Sequence, residues 1–246
     1  MKTLRFLLAL LCLASPQLFA QNTDTRCYEM RIYYPAAGKM PDLLARFRNH
    51  TTKLFKKHGM TNIGYWTPIN KPDSVLIYVL AYPNREARDL SWKNFMNDPE
   101  WQQVAKASEV NGELVAKIES KFMKTTDFSP NVFESKGDRV FELRTYKATK
   151  FNLGLLMARF RNHTLKLFEK HGMSNLVYWN EDGKDDMLVY LLAHKSQEAG
   201  LASFKTFRDD PDWIAARAAS EKLAGSSITI SVLSQYLVPT DFSPWK

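Results

Sequence analysis

One stretch of sequence occurs twice: Arg46 to Met60 reads RFRNHTTKLFKKHGM, and Arg159 to Met173 reads RFRNHTLKLFEKHGM. The flanks follow in register. Tyr28-Glu29-Met30-Arg31 answers to Phe141-Glu142-Leu143-Arg144, Tyr65-Trp66 to Tyr178-Trp179, and Asp98-Pro99-Glu100-Trp101 to Asp210-Pro211-Asp212-Trp213. Thr126-Asp127-Phe128-Ser129-Pro130 returns as Thr240-Asp241-Phe242-Ser243-Pro244. A spacing held near 113 residues throughout is the duplication of a domain, not a short solenoid repeat. The chain must fold as two related halves, each of about 110 residues, a size that supports its own core.

Within one copy the apolar period switches between that of strands and that of helices. Cys27 to Tyr34 reads as a strand with Tyr28, Met30, Ile32 and Tyr34 on one face and Glu29, Arg31 and Tyr33 on the other. Pro41 to His58 reads as a helix: Pro41 suits its first turn, Leu43, Phe47, His50 and Leu54 form a stripe, and Gly59 stops it. Ile63–Trp66 and Val75–Tyr82 read as strands. A helical stretch from Arg85 to Ser108 is interrupted where Asp98 caps a new helix begun by Pro99. Leu114–Met123 closes the unit as a fourth strand. The order βαββαβ predicts an α+β fold of two tandem ferredoxin-like plaits. Each plait leaves one sheet face bare, and Val75–Tyr82 is apolar on both faces, so the two sheets are expected to cover each other as an internal pseudo-dimer. Domain 1 then spans 26–130 and domain 2 spans 139–246. The Ser-, Pro- and Gly-containing stretch from Phe128 to Asp138 reads as the connection, with 131–138 the linker proper.

These motifs, taken twice at matched spacing, resemble the NIPSNAP family, in the dimeric α/β-barrel superfamily. The resemblance covers essentially the whole chain beyond its first residues. It implies a barrel built from two plaits, here supplied by one chain. It implies no single reaction, because that superfamily includes cofactor-free oxygenases, haem-binding and haem-degrading enzymes, isomerases and proteins without established chemistry.

Several residues are candidates for chemistry. His50 and His163 fall on the apolar stripes of the first helices, where an imidazole can serve as a general base or an iron ligand, or simply pack beside Phe47 or Phe160. His58 and His171 precede Gly59 and Gly172, where the helix dipole favours a cation. Glu29, Arg31 and Tyr33, with Glu142, Arg144 and Tyr146, are expected to point between the sheets. There they form register-setting Glu–Arg pairs, or Arg31 and Arg144 anchor an acidic ligand to which Tyr33 and Tyr146 donate. Arg46, Arg48, Arg159 and Arg161 read as solvated helix positions, with Arg46 in reach of a carboxylate. Trp66, Trp101, Trp179 and Trp213 read as core, with Trp66 and Trp179 also able to line a pocket. No metal-ligand spacing, nucleophile elbow, phosphate loop or dinucleotide fingerprint is present, and the residues name no cofactor. The sequons at Asn49 and Asn162 fall inside predicted helices.

The first residues are expected to be removed. Lys2 and Arg5 precede a short apolar run from Phe6 to Ala14, too short for a membrane span, and Ala20 offers a small residue for cleavage, so 1–20 reads as a signal peptide. This predicts an exported, periplasmic or secreted product, with Cys27 its remaining thiol. Losing Lys2 and Arg5 lowers the formal charge from +8 to +6. That excess is scattered, without the basic runs of a nucleic-acid or membrane-surface binder, and no second long apolar stretch predicts a membrane span. The leading functional expectation is an exported binding or interaction module for a small apolar or aromatic molecule. The alternatives are a cofactor-independent oxygenase or isomerase using His50 or His163 as base, and a haem-binding protein.

Overall fold

A computed structural model describes residues 24–132, 137 and 139–246; the expected signal segment 1–20 and most of the expected linker lie outside the described residues. The first half runs β1 (Cys27–Pro35), α1 (Met40–Arg46), a π-helical turn (Phe47–Thr51), α2 (Thr52–Lys57), β2 (Thr61–Pro68), β3 (Leu76–Tyr82), α3 (Arg85–Met96), α4 (Pro99–Ser108) and β4 (Val115–Thr125). The second repeats it: β5 (Val140–Ala148), α5 (Leu153–Arg159), a π-helical turn (Phe160–Thr164), α6 (Leu165–Lys170), β6 (Ser174–Glu181), β7 (Met187–His194), α7 (Gln197–Arg208), α8 (Pro211–Ala224) and β8 (Thr229–Pro239).

Each half is an antiparallel sheet in the order β4-β1-β3-β2 or its counterpart. The two join where β2 meets β8 and β4 meets β6, closing an eight-stranded barrel. The bare faces predicted from the sequence therefore become the barrel interior, filled by Tyr28, Met30, Trp66, Val79, Phe141, Leu143, Trp179, Leu191 and Trp245. Helices cover the outside over two aromatic cores, one per half. β3 is buried along its whole length, as an apolar strand between two layers must be.

The tails exchange partners. In the segment after β4, Thr126 N–H donates to the Tyr178 carbonyl of the second half (2.9 Å), and Tyr178 N–H donates to Ser129 Oγ (2.9 Å). The segment after β8 does the same to the first half: Thr240 N–H reaches the Tyr65 carbonyl and Tyr65 N–H reaches Ser243 Oγ. Phe128 and Phe242 pack on Tyr178 and Tyr65 of the opposite half. The stretch beginning at Phe128, expected as pure connection, is thus partly a strap.

Two expected side-chain placements are corrected. A π-turn inserts one residue into the first helix, because the Thr51 hydroxyl donates to the carbonyl of Arg46, five residues back, and Thr164 does the same to Arg159. The extra residue rotates the stripe, so that Phe47 and Thr51 are buried while His50 is exposed; Phe160, Thr164 and His163 repeat this. The second correction concerns β1 and β5. Glu29, Arg31 and Tyr33, and likewise Glu142, Arg144 and Tyr146, face the helices, not the space between the sheets. The helix layer supplies their partners, with Arg88 and Trp92 of α3 reaching Glu29.

Candidate functional site

The sequence-derived candidates occupy three separate surfaces. Trp66 and Trp179 lie inside the barrel, Trp66 against Phe141 and Trp245 at 5.6 and 5.8 Å between ring centroids, Trp179 against Tyr28 at 5.7 Å. Arg31, Tyr33, Arg144 and Tyr146 lie on the opposite faces of β1 and β5, under the helices. His50 and His163 stand on the outer surface, each lining a broad groove against the last helix of its half, with Val104 and Ala107 beside His50 and Ala215 and Ala219 beside His163. Among the described residues, neither the groove lined by His50 nor the one lined by His163 includes Arg31 or Arg144.

Beneath the helices each half holds a buried carboxylate. Glu29 accepts from Arg31 (2.6 Å), from both ends of the Arg88 guanidinium (2.8 and 2.9 Å), and from Ser120 (2.7 Å), Trp92 Nε1 (3.1 Å) and Tyr82 (3.3 Å). The Arg31 guanidinium stacks on Trp92, 4.3 Å from the ring centre. Burial opposes ionisation of Glu29, but the Arg88 hydrogen bonds and the Arg31 charge outweigh it and hold the carboxyl at about 2. This centre ties α3 to the sheet with every acceptor position engaged.

The second copy differs at the same place. Counted from Asn84 and Ser196, whose side chains cap α3 and α7, Arg88 corresponds to Gly200 and Trp92 to Phe204. By strand register Tyr82 corresponds to His194 and Phe122 to Tyr236. Glu142 accepts from Arg144 (2.5 Å), Ser234 (2.5 Å) and His194 Nε2 (2.9 Å). The changes are interdependent, for a Cβ on residue 200 would lie 2.7 Å from the Tyr236 hydroxyl and 3.0 Å from His194 Cγ. Burial again works against the Glu142 charge, and the His194 hydrogen bond and Arg144 charge keep its pKa lowered. His194 is buried and its Nδ1 meets no partner. A carboxylate-oriented imidazole with a spare ring nitrogen is a proton-transfer arrangement. Sequence reasoning missed it because His194 ends an apolar strand and its partners come from β5 and β8.

The barrel interior opens at one end into a cleft of about 370 Å³. Met30, Ile32, Leu143, Val189 and Leu233 give it apolar walls, and Lys121, Thr145 and Gln235 give it polar atoms. It arises where β1 with β4 and β5 with β8 run past the closed part of the barrel. The inward positions differ between halves: Lys117, Glu119 and Lys121 on β4 correspond by register to Ser231, Leu233 and Gln235 on β8. Elsewhere the expected capping histidines have an acidic partner as well. His58 Nε2 lies 2.6 Å from Asp98 and His171 Nε2 lies 2.7 Å from Asp210, and each aspartate also caps the following helix. Arg46 reaches Glu109 and Ser108 as expected of it, though it and Arg159 are buried. Arg48 and Arg161, expected to be solvated, grip Asp241 and Asp127 of the exchanged tails. Among the described residues no group of three or more His, Cys, Asp or Glu is placed to hold a metal ion, and no helix is long and apolar enough to cross a membrane.

Comparison with known proteins matches the sequence to one family, NIPSNAP, over residues 28–130 and 141–244. None of the curated proteins compared with it matches. Among solved structures it is similar to a protein of Lactobacillus acidophilus provisionally named a monooxygenase, at 10% identity and a TM-score of 0.57, covering 88% of this chain and 94% of that one. An anthrone oxidase-like protein aligns at 9% identity and a TM-score of 0.54, over 91% and 95% of the two chains. A NIPSNAP family protein of unknown function from Agrobacterium tumefaciens is 24% identical, covering 45% of this chain and 96% of its own, at a TM-score of 0.40. The first two likenesses establish the double-plait barrel as a shared fold.

Proposed function

The chain belongs to the NIPSNAP family, and we propose that its two domains together form a binding module whose ligand seat is the cleft at the open end of the barrel. The ligand is a small apolar or aromatic molecule carrying one anionic group. The observation behind this reading is the lining of the cleft: Leu143, Val189 and Leu233 offer an apolar bed, and Lys121, whose amine lies 4.0 Å from Glu181, supplies a positive charge at its wall. Anilinonaphthalene sulfonate, an aromatic anion, is a suitable probe. It is expected to bind with enhanced fluorescence, about tenfold more weakly in Lys121→Glu if the charge contributes on the order of 1.4 kcal/mol, and not at all in Val189→Trp, which fills the seat. Absence of binding, or binding indifferent to both substitutions, overturns the reading.

A second reading, an acid–base enzyme of the oxygenase or isomerase type, is favoured by one observation, the buried Glu142–His194 pair of the second half. In it His194, in place of the surface His50 or His163, is the base. Oxygen uptake with anthrone as the probe substrate, lost in His194→Gln, supports that reading; no uptake leaves the binding module alone. We also place the mature protein in the periplasm or medium, on the pattern of residues 1–20. N-terminal sequencing of the fractionated protein tests this, and an intact Met1 in the cytosol refutes it.

A further inference from the structure

The barrel closes at one end only, and among the described residues this leaves two strand edges without a neighbour. β8 meets β2 at Leu237–Pro239, and its Tyr236 carbonyl accepts from Ile69 N–H. From Gln235 back to Thr229 it pairs with β5 on one side and with no described residue on the other. β4 is similar: β6 meets it at Met123–Thr125, its Phe122 carbonyl accepts from Asp182 N–H, and among the described residues Val115–Lys121 pairs with β1 alone. The two edges carry different residues. β4 bears Lys117, Glu119 and Lys121, the kind of charge that keeps an edge solitary, whereas Thr229-Ile230-Ser231-Val232-Leu233-Ser234-Gln235 is uncharged. On it Ile230 is 62% exposed, Val232 41% and Leu233 68%.

A second feature stands at the start of the same strand. Thr149 is held to it by two bonds, N–H to the Ile228 carbonyl and Oγ1 to the Ser227 carbonyl. Two residues on, Phe151 is 84% exposed with φ at +66°, a left-handed conformation that is costly for an aromatic residue. The corresponding residue of the first half, just before the residue that precedes α1, is Gly38, at φ +72°. One copy thus takes the turn with glycine, and the other accepts backbone strain and displays a phenyl ring to water. At the far end of the exposed edge, Ser234, Gln235 and Tyr236 with Asn70, Lys71 and Gln197 line a notch of about 360 Å³.

We propose that the β8 edge, residues 229–235, with Phe151, is a self-association surface, on which a second copy of this chain pairs its own β8 in antiparallel register across a two-fold axis. Pairing about Val232 sets Ile230 opposite Ser234, Ser231 opposite Leu233 and Thr229 opposite Gln235, so no charges of like sign meet. The same register carries the Phe151 end of one strand to the notch end of the other, twice over. A phenyl ring entering a pocket is the kind of anchor that dominates association energy. The neutral strand, the displayed ring and the receiving notch are all supplied by this chain, which selects a second copy over an unrelated peptide.

Sedimentation velocity on the purified protein tests the proposal. A dimer is expected whose dissociation constant rises at least tenfold in Phe151→Gly and in Val232→Lys, with far-ultraviolet circular dichroism unchanged. Phe151→Gly is the sharper variant, because it restores the residue found at position 38 and relieves the backbone. Ile118→Lys, at the matching position on β4, should leave the dimer intact. A wild-type protein that is monomeric at all concentrations, a dimer indifferent to both β8-side substitutions, or a dimer broken by Ile118→Lys overturns it.

Discussion

Trp66 fits inside the barrel only because residue 64, two positions earlier on the same strand face, has no side chain: a Cβ there would stand 2.2 Å from the indole ring. Gly64→Ala must displace Trp66 against Phe141 and Trp245, and overpacking of this kind costs about 1–3 kcal/mol. The midpoint of urea unfolding should fall accordingly, with the second-half counterpart already carrying Val177 beside Trp179. Glu29 is the other residue on which much rests. Its replacement by Gln leaves the largely enclosed Arg31 without a counter-charge and Arg88 with the exposed Asp89 alone, a loss of about 3–5 kcal/mol by analogy with broken buried pairs. Its pH signature has a definite sign. The carboxyl is held at about 2 in the fold and near 4.5 in the unfolded chain, so unfolded molecules take up the proton first. Its contribution is complete above about pH 4.5 and disappears as pH falls towards 2. Urea midpoints measured across that window should drop in the native protein and drop less in Glu29→Gln. The pairing of Glu29 with Arg31 was readable from alternation in one strand. Arg88, Trp92 and Ser120, which complete the centre, were not, because nothing local in the sequence announces which distant element supplies a partner.

The elements show where periodicity suffices and where it fails. Strand order, the helix break at Asp98-Pro99 and the capping glycines follow from local rules, and the structure has them. The π-turns do not follow, since one Thr hydroxyl back-bond shifts the apolar stripe by a residue and moves His50 and His163 from the core to the surface. The face assignment of β1 and β5 failed for a related reason: alternation divides residues into two sets without saying which set the helices cover. The straps were visible as the repeated Thr-Asp-Phe-Ser-Pro, but not that each would cross to the other half. Their strength should reside in burial, not in charge. Arg161→Ala removes an exposed ion pair with Asp127 and should cost no more than about 1 kcal/mol. Trp245→Ala, deleting a buried ring that stacks on Phe141 within the barrel, should cost about 3–5 kcal/mol. Thermal denaturation of the two variants side by side measures the contrast.

Considered as a whole, the molecule is one barrel with two unequal halves. Duplication supplied twin sheets whose apolar faces could be satisfied by each other, and the exchanged straps fasten the join from both sides. Once one chain held both halves, symmetry was no longer required. The first half has a carboxylate closed by two arginines and a β4 edge guarded by charge. The second has His194 at its carboxylate, an uncharged β8 edge and an exposed phenylalanine. The cleft takes apolar walls from both halves and its one charged lining residue, Lys121, from the first, so its asymmetry belongs to the assembled barrel alone. The repeat made the barrel predictable; the unequal walls of its open end depended on strands extending past closure, which no residue pattern reports. The decisive measurement is the mass in solution, by light scattering during gel filtration, of residues 24–132 and 139–246 produced as separate polypeptides. If the barrel interior is what holds the fold together, neither piece persists as a folded monomer, and mixing them restores a one-to-one complex with native circular dichroism. A piece 24–132 that is folded, soluble and monomeric by itself would contradict the shared barrel.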